Sequence, residues 1–217
     1  MTKIQYDLVY YSDADAREMH FSIIFNLLED LSRRVDVSLP ANRRYIGHKK
    51  AITFIALAKF SLVEKNYGAA VNYALSSVDE MSAVLDASHL AESDPDFSGF
   101  AIEYIESVAV LSRGYEGVQD YLAALRWARI ALDNARLLYG SYNGEERVVA
   151  NKLGKHFLTY AHLCELSDND EEATAKLAEM KSTLERFNAP ISKTIQQISE
   201  QILGKISRKL NRSGLVV

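Results

Sequence analysis

Over nearly every long stretch of this chain, apolar residues return at intervals of three and four, the spacing that lines one face of an α-helix. Strand-like alternation is absent, and the single Asn143-Gly144 pair is flanked by helical rather than alternating patterns, so it does not read as a hairpin turn. Breaks fall where Pro, Gly, Asn or Asp cluster. With only 10 Gly and 3 Pro in 217 residues, such breaks are few and the segments between them are long. The spacing predicts about nine helices, over 3–12, 14–35, 40–64, 67–89, 97–115, 119–140, 146–167, 170–188 and 191–210.

The stops and starts have local causes. Pro40 suits the first turn of the third predicted helix, where its missing N–H would be unpaired in any case. "SDPDF" offers Ser93 or Asp94 as an N-cap, "GSYNG" closes the sixth predicted helix, "SDND" opens the eighth, and "FNAP" separates the last two. Short links between long helices make neighbours antiparallel, so the expected fold is all-α, a stack of helical hairpins in one domain over 1–210 with a flexible tail over 211–217.

Two segments, "ALAKFSLVEKNYGAAVNYALSSV" and "LTYAHLCELSDNDEEATAKLAEM", share a shape: an apolar helix, a tight turn, then small residues in successive turns of a second helix. Both resemble tetratricopeptide units. Ala58, Ala69, Ala173 and Ala178 would let the paired helices approach closely.

A net charge of −4 argues against a surface that grips nucleic acid throughout. The single Cys164 cannot form an internal disulfide or a thiolate cluster, which points to a reducing compartment. The N-terminal stretch lacks the apolar core of a signal peptide, and no apolar run approaches the roughly 18 residues of a membrane span. A cytoplasmic protein without membrane contact is the expectation.

Against the acidic total, "NRRYIGHKK" (42–50) concentrates four positive charges and a histidine. Arg43 and Lys50 are seven residues apart, so they leave one helix face about 10 Å apart along the axis. Gly47 between them would give a ligand room to approach, while Arg44 and Lys49 point elsewhere. Arg113, late in the fifth predicted helix, would reach the same concave surface from a helix one removed. Three cations meeting there would hold a phosphate strongly.

These features together, with Tyr104 nine residues before Arg113, resemble the 14-3-3 family. "ELSDNDEEA" (165–173) is similar to that family's turn between its seventh and eighth helices. The resemblance implies a superhelix of nine antiparallel helices whose concave groove binds phosphoserine and phosphothreonine segments of other proteins. It implies a non-enzymatic, signalling adaptor without cofactors, with Arg43, Lys50 and Arg113 as the phosphopeptide-binding residues and a homodimer joined through the N-terminal helices.

Two alternatives stand beside it. A tetratricopeptide-like scaffold would bind unmodified peptides, its cations serving acidic side chains. "RRYIGH" also resembles the Arg-x4-His signature of the HEPN family of helical ribonucleases, which implies Arg43 and His48 as a catalytic pair. His20, His89, His156 and His162 show no metal-ligand spacing, and no Gly-rich phosphate loop, nucleophile elbow or zinc signature is present.

Two stretches are candidates for assembly. "MHFSIIFNLLEDL" (19–31) places Phe21, Ile24, Phe25, Leu28 and Leu31 on nearly half of a helix, with Ile23 and Leu27 beside them, as core or as a dimer seam. The terminal "GKISRKLNRSGLVV" carries Lys205, Arg208, Lys209 and Arg212 and reads as a frayed basic tail, in which a phosphorylated Ser213 would fold back into a groove.

Overall fold

The computed structural model describes residues 14–36, 39–87, 97–140, 146–187 and 192–212. These residues form eight helices, here α1 (Ala14–Arg34), α2 (Pro40–Val63), α3 (Tyr67–Ala87), α4 (Phe97–Gly117), α5 (Tyr121–Gly140), α6 (Glu146–Leu166), α7 (Asp170–Glu185) and α8 (Lys193–Arg212). The predicted 3–12 helix, the caps at Ser93 and Asp94, "GSYNG", "FNAP" and Ser213 lie outside the described residues. All the described helices were expected, and the all-α class holds. The chain divides into two compact units, Met1–Gly117 and Val118–Val217, each taken by itself below.

One local device precedes α3, α5 and α7. A residue with positive φ turns the chain (Lys65 at 59°, Gln119 at 64°, Asp168 at 56°). An Asn or Asp follows and its carbonyl accepts the first helical bond, from Ala70 N–H to Asn66 at 3.0 Å, Ala124 to Asp120 at 2.9 Å and Ala173 to Asn169 at 3.1 Å. The side chains of Asn66 and Asp120 also accept from the N–H groups of Ala69 and Ala123, at 3.3 and 3.0 Å. Asn169 makes no such side-chain bond, so the expected "SDND" cap works through its backbone alone.

Burial repeats with the turn. Counting from the capping residue, positions +4, +8, +11 and +15 are Ala70, Ala74, Ser77 and Met81 in α3. They are Ala124, Ala128, Ala131 and Ala135 in α5, and Ala173, Leu177, Met180 and Leu184 in α7. All twelve are at most 4% exposed. This is the spacing of one helix face, and small residues at its first position bring a neighbouring backbone close. The left-handed turn also explains why α5 starts at Tyr121 and not at the expected 119: Gln119 turns the chain and Asp120 caps it.

In the first unit α3 packs against both α2 and α4, and α2 also touches α4. Their meeting point is small and polar: Ser77 Oγ donates to the Ala51 carbonyl at 2.8 Å and lies 2.9 Å from Ser107 Oγ, both hydroxyls being buried. Each bond satisfies a hydroxyl that burial would otherwise penalise by about 1–3 kcal/mol. α1 packs on α2 through the buried Phe21 and through Phe25, whose ring lies 4.6 Å from that of Phe54.

In the second unit α6 is central, packed by α5, α7 and α8, with Leu153, Phe157, Ala161 and Cys164 at most 1% exposed. Burial pushes the Cys164 thiol up to about 11, so it stays protonated, hydrogen-bonded with Tyr160. Gly154 lets α8 approach: a Cβ there would lie 2.6 Å from Ile195 Cδ1. α8 seats Ile195, Ile202 and Ile206 and turns its polar side outward.

Candidate functional site

Arg43, Ile46, Gly47 and Lys50 of α2 line one notch of about 170 Å³, closed by Ser32 of α1 and by Glu80, Ala83 and Val84 of α3. The seven-residue spacing does carry Arg43 and Lys50 to the same side of the helix. Gly47 has a different task from the one expected of it. A Cβ there would stand 2.8 Å from Val84 Cγ2, so its missing side chain is needed for the contact between α2 and α3 and leaves no free room.

Two cations in this notch face one carboxylate. Burial raises the Glu80 pKa, the charge of Lys50 pulls it back, and Asp79 raises it further. Arg43 and Lys50 together thus leave the notch one net positive charge while Glu80 is ionised, and two when it is protonated. Lys49 is directed away, over the Tyr45 ring at 5.5 Å.

Arg113 is exposed on α4 and is absent from the notch lining. Its neighbour Gly114 packs on Val71, with a Cβ there coming 2.9 Å from Val71 Cγ2. Val71 precedes Glu80 by nine residues, or roughly 14 Å along α3. Arg43 and Lys50 are thus brought together and Arg113 stands apart. Tyr104 faces the later half of α3, where burial raises its pKa and a hydrogen bond from Ser82 lowers it.

His48 leaves α2 on another side. Its Nε2 pairs with the Glu103 carboxylate of α4, and its ring meets Phe100 edge-on at 4.8 Å. Arg43 is turned to α3 and His48 to α4, so the two do not converge on one reacting hydroxyl. Lys59 pairs with Glu106 across the same two helices.

On α1, Met19, Ile23 and Leu27 are 57%, 48% and 63% exposed. Only part of the wide apolar face found in the sequence is therefore covered within this unit.

The second unit holds a charge cluster that the sequence reading missed. Glu165 is 4% exposed, and its carboxylate lies 3.1 Å from Lys209 and 3.6 Å from Lys205, with His162 Nδ1 at 3.8 Å. Lys209 Nζ also donates to the Glu165 carbonyl at 2.6 Å and to Asp168 at 3.1 Å. Lys205, Arg208 and Lys209 thus belong to an ordered helix, and the frayed tail expected of them is replaced by a clamp between α8 and the end of α6. Burial works against the charge on Lys209, but the bonds to Glu165 and Asp168 and the charges of Glu165 and Asp170 outweigh it, so its pKa is raised.

No group of three or more His, Cys, Asp or Glu side chains among the described residues could hold a metal ion, and no described helix is long and apolar enough to cross a membrane. The chain matches no family model, no curated protein and no solved structure.

Proposed function

We propose that this chain is a non-enzymatic adaptor whose hairpins stack as a superhelix and hold a segment of another protein on the concave side. The Arg43–Lys50 notch then receives one acidic side chain of that segment. The observation that carries this reading is the notch itself: two cations from one helix face, with a single carboxylate opposite. A monoanionic carboxylate suits that balance better than a phosphate, which would bring nearly two charges beside Glu80 with only two cations to answer them. Repetition of the same turn and buried face before and along α3, α5 and α7 supports the repeat-scaffold part of the reading.

A phosphoserine or phosphothreonine segment is the second reading, favoured by the same convergence of Arg43 and Lys50. A peptide array bearing Glu, Ser or phosphoserine at one position, followed by anisotropy titration of its best binder, separates the two. The expected result is a preference for Glu over Ser, lost about tenfold in Arg43→Gln, unchanged in Arg113→Gln and strengthened in Glu80→Gln. Equal binding of all three peptides, or full affinity in Arg43→Gln, would overturn the notch. Phosphoserine binding tenfold above Glu would select the second reading.

A further inference from the structure

A second cleft, of about 690 Å³, opens in the unit formed by residues 118–217 and has no part in the reading above. Asp133, Arg136 and Leu137 of α5, Leu153 of α6, Thr183 of α7 and the following Arg186 and Phe187 line it. Its size falls among those that enclose small ligands. Leu153, 1% exposed, forms the floor, while Phe187 is half-buried.

The polar groups here are unequally engaged. Arg136 is held by Glu179 at 2.6 Å and lies 6.0 Å from the Phe157 ring centroid, so its charge is already answered. Asp133 is turned toward Arg129, at 3.9 Å. Arg186 is exposed and forms no ion pair among the described residues. The Thr183 hydroxyl, on a residue only 8% exposed, makes no hydrogen bond among them either. The cleft thus joins an apolar floor to one unanswered guanidinium and one idle hydroxyl donor.

From this pairing we propose that the cleft binds an amphiphilic monoanion, an aliphatic body that ends in a single carboxylate. The body lies over Leu153 and Phe187, and the carboxylate takes charge-assisted bonds from Arg186 and a hydroxyl bond from Thr183. A dianion is disfavoured because Asp133 and Glu179 stand nearby.

The test uses the purified full chain, with 8-anilinonaphthalene-1-sulfonate fluorescence as the reporter and dodecanoate, dodecanol and dodecyltrimethylammonium as competitors, each below its micelle-forming concentration. The expected result is one saturable dye site displaced by dodecanoate at least tenfold more readily than by dodecanol, and least by the cation. Arg186→Gln, on an exposed side chain that leaves the fold intact, should weaken dodecanoate about tenfold without weakening dodecanol. Arg186→Lys should restore part of that loss, and Arg208→Gln on α8 should change nothing. Equal displacement by acid and alcohol, or an Arg186→Gln variant with full dodecanoate affinity, would overturn the proposal. So would the absence of a saturable site.

Discussion

Replacing Gly47 by alanine adds one methyl group in the middle of α2, and two opposed effects decide the result. In an unobstructed helix the change stabilises by about 0.8–1 kcal/mol, because glycine loses more backbone freedom on folding. Here the new Cβ would stand 2.8 Å from Val84 Cγ2, well inside the roughly 3.5–4.0 Å of a comfortable carbon contact. Val84 is 2% exposed, and a β-branched side chain has little freedom at χ1, so the contact is relieved only by moving α2 from α3. Such overpacking costs about 1–3 kcal/mol. The net expectation is a destabilisation of about 1 kcal/mol.

Urea unfolding of the wild type, Gly47→Ala, Val84→Ala and the double variant isolates the contact. With Val84 shortened the clash disappears, so Gly47→Ala becomes stabilising by nearly the full helical gain, and the coupling between the two sites exceeds about 1 kcal/mol. If Gly47→Ala stabilises the wild-type chain by that same gain, the close approach of α2 and α3 is wrong, and Gly47 is free to serve a ligand after all.

Lys209→Met should destabilise the second unit by about 1–2 kcal/mol at neutral pH, a figure kept low because the lysine is partly exposed and screened, even though it leaves Glu165 buried. Since folding raises the Lys209 pKa, its contribution is whole below the unfolded lysine value of about 10.4 and fades as pH climbs through the higher folded value. Urea midpoints of wild type and variant should therefore converge in strong alkali, and a constant gap there would refute the clamp. Asp120→Ala should cost about 1 kcal/mol through its lost cap, while Asn169→Ala, which removes no cap bond, should cost less than half of that in the same denaturation assay.

The helices were legible because their apolar spacing is a local property, written within each segment. Two of the three turn-and-helix units were also visible. The third, around "GVQDYLAALRWARIALDNA", carries a fainter signal, in which Asp120-Tyr121-x-x-Ala124 matches Asn66-Tyr67-x-x-Ala70 once both are aligned on the capping residue. Arg43 and Lys50 share a face by helical arithmetic alone. What covers that face depends on the neighbour, so Val84 filling the space above Gly47 and Glu80 opposing the cations had no local sign. The displacement of Arg113 follows from the level at which α4 meets α3, and the Glu165–Lys209 clamp joins residues 44 positions apart. Neither leaves a trace in short-range spacing.

The outward side of α8 carries Lys193, Gln197, Glu200, Gln201 and Arg208, all exposed, behind a row of three buried isoleucines. Burying that side would strip water from its charged groups, while Ile198, Leu203 and Leu210 flank the isoleucine row at 37%, 37% and 45% exposed. The helix thus divides its surface in two, a row of isoleucines kept dry against the interior and a charged row left in water.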